Sequence, residues 1–265
     1  MRRIGERLLR RRPQTIDIED TLEETKKILN DQTDFDTVET YKSIRTNIMF
    51  SMPKKEMGRV IVVTSASPGE GKTTTSINLA ITFAQTGAKV IIVDCDLRKS
   101  RVHRYLQIDR NIGVTNVVCG YTELSAAIKH TDKENLDCMT AGEIPPNPAE
   151  LLETDEFQDM LCTLQTMYDY IVIDTPPMTV VTDAAVIMKQ KMGAIVVARQ
   201  NVTTFDLLDR TMENIRRTGV NLLGVIMVGC QEKGKKYGYY KRDYKYKYKY
   251  DYRYGDTPEV KKASK

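Results

Sequence analysis

Apolar residues in this chain come in short, nearly unbroken runs rather than in strict alternation with polar ones. Arg59 to Thr64, Ala88 to Val93, Leu136 to Thr140, Tyr170 to Ile173, Gly193 to Ala198 and Leu222 to Val228 are the clearest, and β-branched residues dominate most of them. A strand with one wet face alternates, whereas a strand buried on both faces does not. Between these runs lie stretches at helical spacing. One runs from Gly71 to about Gln85, with Gly87 as its left-handed stop. A second opens at Asn147-Pro148-Ala149-Glu150, an N-cap followed by a first-turn proline and a glutamate at the capping-box position, and should continue for about 18 residues. Thr182 to Lys191 and Thr204 to Thr218, the latter closed by Gly219, complete the series. Ahead of the first strand, Thr21 to Leu29 and Thr37 to Ser51 read as two more helices. The pattern predicts an α/β fold, a mainly parallel sheet with helices on both faces.

Three strand ends carry candidate chemistry. Directly after the first strand comes Ala66-Ser67-Pro68-Gly69-Glu70-Gly71-Lys72-Thr73-Thr74, which fits a P-loop except that Ala66 stands where the first glycine is usual. Glycines let successive N–H groups curl around phosphate oxygens, and the helix N-terminus adds positive potential. Ser67 to Thr74 is therefore the expected nucleotide cradle, with Lys72 reaching the phosphates and the Thr73 hydroxyl reaching Mg²⁺. The second end, Asp94-Cys95-Asp96-Leu97-Arg98, places two acids just past a buried strand, and the third, Asp174-Thr175-Pro176-Pro177, has the same form. Each alone could merely cap a helix. Together with the loop, Asp94, Asp96 and Asp174 make an Mg²⁺ site beside ATP, since Mg²⁺ takes carboxylate, hydroxyl, water and phosphate oxygens. Arg98 and Arg199 follow strands near this edge, suited to phosphate contact or to capping and ion pairing. His103 and His130 read as surface residues.

Charge separates the chain into parts. The net charge is +4 over 265 residues, yet the first twelve hold six arginines against one glutamate, and residues 233–265 hold twelve bases against four acids. The body between is acidic, and basic ends seek polyanions or acidic partners. The N-terminus has the charge of a signal peptide without its apolar core, and no apolar run could span a bilayer. Five scattered cysteines without a CxxC pair argue for reduced thiols rather than disulfides or structural zinc. The C-terminal end is unusual: Tyr237, Tyr239, Tyr240, Tyr244, Tyr246, Tyr248, Tyr250, Tyr252 and Tyr254 fall within eighteen residues, interleaved with charge. Such a segment could bind single-stranded nucleic acid, adhere to anionic lipid, or have no role. Beside a phosphoryl-transfer site it reads instead as a substrate. Each phosphate adds about −1.5 to −2 charges, so phosphorylation would invert its electrostatics.

SxSPGEGKTT at 65–74, VDCDLR at 93–98, PPNPAELL at 145–152 and VIDTPP at 172–177, followed by a tyrosine cluster, resemble in order and spacing the bacterial tyrosine kinases that control capsule and exopolysaccharide synthesis. The resemblance is greatest to the separate kinase subunits of Gram-positive bacteria. It implies a cytoplasmic, ring-forming homo-oligomer that uses ATP and Mg²⁺ to phosphorylate the tail of a neighbouring subunit. It further implies recruitment to the inner face of the cell membrane by a transmembrane polysaccharide co-polymerase adaptor, reversal by a phosphotyrosine phosphatase, and no nucleic-acid partner. Carried over by motif, Lys72 holds the phosphates, Thr73 binds Mg²⁺, and Asp94, Asp96 and Asp174 orient the metal shell. One of these acids takes the tyrosine proton; Asp94 is the first choice, though spacing does not separate it from Asp96.

Two departures bear on that inference. The family's ring contact is an ExxRxxR helix, and here Glu39, Lys42 and Arg45 occupy it, so lysine replaces the first arginine and its bidentate fork. The last strand ends in Val228-Gly229, without the asparagine with which relatives can read adenine. The expected organisation is a basic and polar segment over 1–35, a kinase domain over 36–230 with an oligomerisation helix at 36–51, and a disordered autophosphorylation tail over 231–265. Partition and cell-division ATPases, which would use the basic tail as a DNA or membrane anchor, are the alternative. Their loop carries an extra lysine where this chain has Ser67. A third reading is a nucleotide-gated subunit modified by another kinase.

Overall fold

The computed structural model describes residues 25–52 and 57–230. The basic N-terminus, the first part of the helix expected from Thr21, and all nine clustered tyrosines lie outside these residues. After Thr25 the described chain is in turns, so the helix does not continue to Leu29.

Seven strands form one sheet: β1 (Arg59–Ser65), β2 (Val90–Asp94), β3 (Ile128–His130), β4 (Leu136–Met139), β5 (Tyr170–Asp174), β6 (Gly193–Arg199) and β7 (Asn221–Val228), in the order β3-β4-β2-β5-β1-β6-β7. All pairings are parallel except β3 with β4. Alternate residues of each central strand enter opposite cores. Val60, Val62, Ile91, Val93, Ile171 and Ile173 face one, and Ile61, Val63, Val90, Ile92, Tyr170 and Val172 face the other. Both faces are dry, which is why the runs did not alternate.

The helices are α1 (Phe35–Ser51), α2 (Lys72–Ala84), α3 (Val102–Tyr105), α4 (Val114–Val118), α5 (Leu124–Ala127), α6 (Pro148–Glu153), α7 (Asp155–Met167), α8 (Asp183–Ile187) and α9 (Phe205–Arg217). Helix α2 packs against β1, β2 and β5 and buries eleven of its thirteen residues, which makes it a core element rather than an amphipathic one. The long helix expected after Asn147 is two. Thr154 turns to ψ 157°, donates to the Leu151 carbonyl at 3.0 Å and accepts the Phe157 N–H at 3.3 Å, so one side chain ends α6 and caps α7. Asn147 makes no cap to the backbone; its amide donates to Glu150 instead. Helix α8 stops at Ile187, and the chain then buries Met188 and Met192 in the core. Strand β3 went unread because it is three residues long, lies at the sheet edge and holds one apolar residue, Ile128.

Candidate nucleotide site

Crossover order brings the C-terminal ends of β1, β5 and β2 side by side, where open parallel sheets bind ligands. The loop leaving β1 needs left-handed backbone at Gly69 (φ 81°) and Gly71 (φ 90°). Gly71 is the N-cap of α2 and has no side chain to cap with, so the positive end of the helix stays available to an anion. Glu70 is fully buried, and its Oε2 accepts the Ser67 N–H at 2.8 Å. That bond takes the Ser67 amide out of the set expected to face phosphate.

Strands β2 and β5 pair so that Asp94 and Asp174 stand in register on adjacent strands. Both carboxyls are fully buried. Asp174 is held by two hydroxyls of α2, Thr73 Oγ1 at 2.7 Å and Ser76 Oγ at 3.0 Å. Asp94 accepts the backbone N–H groups of Asp96 at 3.1 Å and Val102 at 3.2 Å. Burial pushes the Asp94 carboxyl well above the ordinary carboxylate range, and repulsion from Asp174 and Asp96 adds to it. Burial also raises Asp174, against the pull of Lys72 and the two hydroxyls. Lys72 Nζ donates to Asp96 Oδ2 at 2.9 Å. Burial alone would lower its pKa; Asp174, Asp96 and Asp94 outweigh that and hold the ammonium above its usual value.

A cleft of about 420 Å³ opens over this edge, walled by Pro68, Gly69, Gly71 to Thr74, Asp96, Arg98 and Arg199 among others. The expected residues therefore converge, with one correction. Asp94, the first choice for accepting a phenol proton, lies behind the cleft with both oxygens taken by backbone, whereas Asp96 lies on the cleft wall. Arg98 forms a two-bond pair with the buried Asp183 at 2.8 and 3.0 Å, the ion-pairing role. Arg199 donates to the Gly69 carbonyl at 3.1 Å. Ser76, Asp183 and Thr203 were not foreseen. Ser76 lies one helical turn after Lys72, a spacing that could have flagged it; Asp183 and Thr203 carry no motif signal.

The remaining expected residues lie elsewhere. On α1, Lys42 pairs with Glu39 at 2.8 Å within the helix, and Arg45 Nη1 donates to the Thr82 carbonyl of α2 at 2.8 Å. His130 is exposed and paired with Asp137, but His103 is half-buried rather than a surface residue. No disulfide joins any of the five cysteines, all of which lie among the described residues. No helix among the described residues is long and apolar enough to cross a membrane.

Hydroxyl and carboxylate oxygens are the hard donors that Mg²⁺ takes, and mutually repelling buried carboxylates are what a divalent cation relieves. Among the described residues no group of three His, Cys, Asp or Glu could cage an ion unaided. Mg²⁺ usually keeps water and substrate phosphate in its shell. Thr73 and Asp96 on the cleft wall, with Asp94 and Asp174 buried behind them, fit as the residues that would hold it.

Residues 58–219 match the family described as AAA domain. The tyrosine-protein kinase YwqD of Bacillus subtilis is 37% identical over 203 residues, covering 76% of this chain and 85% of YwqD. The tyrosine-protein kinase wzc of Salmonella typhimurium is 32% identical, but the chain spans only 29% of its length. Among solved structures, the kinase domain of the Escherichia coli tyrosine kinase ETK superposes with a TM-score of 0.70 at 34% identity, covering 75% of this chain and 78% of that one. The septum site-determining protein MinD of Pyrococcus horikoshii, solved with Mg-ADP, gives 0.57 at 27% identity, covering 66% and 73%. The fold is thus shared with a septum site-determining protein solved with Mg-ADP, but the identity that runs through most of YwqD places this chain among the bacterial tyrosine-protein kinases.

Proposed function

We propose that the protein transfers the γ-phosphoryl group of ATP to the tyrosines between Tyr237 and Tyr254 of a neighbouring copy, and that this switch regulates capsular or exopolysaccharide synthesis and export. The observation that carries the proposal is the convergence of Lys72, Thr73 and Asp96 on one cleft, with the buried Asp174 holding the Thr73 hydroxyl, in a chain that also encodes nine clustered phenols. In the reaction the phenol oxygen bonds to the γ-phosphorus, the bond from that phosphorus to the β–γ bridging oxygen breaks, and ADP leaves. The phenol proton passes to a carboxylate. In this reading Asp96 is the acceptor, which its position on the cleft wall supports, and Asp94 and Asp174 hold the strand ends around it. Lys72 neutralises charge on the phosphates, the main source of acceleration when positioning and electrostatics dominate. Mg²⁺ would add further neutralisation of the phosphate charge.

A body of 36–230 would present this site, and the tail of 231–265 would serve as substrate. Transfer between copies suits a ring built through Glu39, Lys42 and Arg45 of α1. A transmembrane co-polymerase adaptor would activate the kinase at the inner membrane face, and a phosphotyrosine phosphatase would reset it.

The test is mass spectrometry of the full chain incubated with ATP–Mg²⁺ and an adaptor's cytoplasmic fragment, beside Lys72→Met. Phosphate on the tail tyrosines of the wild type alone is the expected result. Hydrolysis without phosphotyrosine would instead favour an ATPase switch like the MinD-type neighbours. Phosphotyrosine appearing only in cells, and persisting in Lys72→Met with no active copy present, would make the tail another kinase's substrate.

A further inference from the structure

Thr203 belongs to none of the motifs that mark the nucleotide site. It lies in the turn between β6 and α9, where Asn201 adopts φ 62°. This turn is fastened to the phosphate loop at two points. Thr203 Oγ1 donates to Glu70 Oε1 at 2.5 Å, and Arg199 Nη1 donates to the Gly69 carbonyl at 3.1 Å. The turn is itself closed by the Arg199 N–H donating to Thr203 Oγ1 at 2.8 Å. The other oxygen of Glu70 accepts the Ser67 N–H, bridging the loop across three residues. The one buried carboxylate of Glu70 therefore joins the start of the phosphate loop at Ser67 to a turn 133 residues further along the chain.

A loop with left-handed glycines at 69 and 71 has little stiffness of its own, yet binding a phosphate well needs its N–H groups fixed in direction beforehand. A buried carboxylate that loses one of its donors becomes costly to hold in place, so Glu70 depends on the Thr203 hydroxyl for its position. We propose that Thr203 is a positioning residue for the nucleotide: its hydroxyl fixes Glu70, and Glu70 fixes the curl of the phosphate loop. Thr203 touches the nucleotide only through Glu70. The inference rests on the reading of the cleft as the ATP site and adds a control point within it.

The test is titration of the full chain with a fluorescent ADP in Mg²⁺, with the nucleotide-free melting temperature recorded for each variant. Thr203→Val should weaken ADP binding about tenfold, equivalent to about 1.4 kcal/mol. Thr203→Ser, which restores the hydroxyl, should bind within about twofold of wild type. In steady-state transfer the Thr203→Val loss should appear in KM for ATP, with kcat at saturation nearly unchanged. Glu70→Ala should weaken binding at least as much, and adding Thr203→Val to it should weaken binding no further. Wild-type affinity in Thr203→Val, or a penalty that simply adds to that of Glu70→Ala, overturns the proposal. If Thr203→Val does not fold, wild-type affinity in Glu70→Ala overturns it equally. A wild type that binds no ADP removes the nucleotide site itself, whereas a binding wild type beside an equally binding Thr203→Val removes only the latch.

Discussion

Two lysine–carboxylate pairs in this protein have nearly the same length and opposite meanings. Lys72 meets Asp96 at 2.9 Å with side chains only 12% and 7% exposed, and Lys42 meets Glu39 at 2.8 Å with 44% and 45% exposed. The first stands among Asp94 and Asp174, where little water screens the charges and every one perturbs its neighbours. The second lies along one turn of α1, where water and salt screen it and side-chain entropy offsets much of the attraction. Distance alone does not separate a reaction centre from a decorated surface. Burial and the number of charges sharing the site do.

The sharpest way to break this comparison is to remove the lysine from each pair. Lys72→Met should reduce tail phosphorylation by roughly a thousandfold, in the range seen when a preorganised electrostatic contact is lost from a transition state. Lys42→Met should change unfolding free energy by less than about 1 kcal/mol. Rates by phosphotyrosine mass spectrometry and urea unfolding of both variants settle it; comparable effects from the two would erase the distinction. Next come the two acids of β2. Asp96→Asn should lose transfer by about a hundredfold or more while ADP still binds, as for an acceptor on the cleft wall. Asp94→Asn should lose transfer together with nucleotide affinity, because it disturbs a buried hinge for two backbone N–H groups. Lost transfer with intact binding in Asp94→Asn, and retained transfer in Asp96→Asn, would return the proton to Asp94.

Helix α1 contains its own version of the contrast. Glu39 and Arg45 sit in one predicted contact surface, yet Arg45 reaches inward to the Thr82 carbonyl while Glu39 stays in solvent. Arg45→Ala should cost about 1.5–3 kcal/mol in urea unfolding, as for a lost hydrogen bond with a charged partner. Glu39→Ala should cost less than about 1 kcal/mol. Sedimentation velocity then separates roles: a shift to smaller species in Glu39→Ala at unchanged stability marks a contact between copies. An unchanged distribution leaves this pair a surface feature.

Much of the fold was legible because its signals are local. All six predicted runs became strands of the sheet; the β-branched runs of the central strands are dry on both faces, whereas the last strand, β7, is exposed to half-buried along its length. Lys72, Asp94, Asp96 and Asp174 were legible because a phosphate loop and acidic strand ends must sit at fixed offsets from strands. The illegible parts depend on long-range encounters. Which of Asp94 and Asp96 meets the cleft is decided by the backbone turn to Val102, and the partner of Glu70 lies 133 residues away. Thr154 is a middle case. Its Thr-Asp-Glu sequence is a good helix start, but the uninterrupted apolar spacing around it masked a break that one ψ angle makes.

His103 tests the same rule between its extremes, with the smallest effect. The ring is half-buried, and its Nδ1 is buried with no hydrogen-bond partner among the described residues. Burial, with the cations Arg110, Arg104 and Lys129 adding to it against Asp109, lowers its pKa from 6.5 to about 4. The sign follows from which state holds the proton. Between pH 6.5 and 4 the unfolded chain binds a proton that the folded chain refuses, so acidification costs stability through this window. Below it both states are protonated and the penalty is constant; above it neither is. His103→Gln removes that titration, so the melting temperature of the wild type relative to the variant should fall by about one or two degrees between pH 7 and pH 4.5. Taking the difference cancels Asp94, Asp174 and every other group common to both proteins. A constant difference across that range would mean that solvent reaches the ring freely, and that half-burial among cations is electrically closer to the surface pair on α1 than to the cleft.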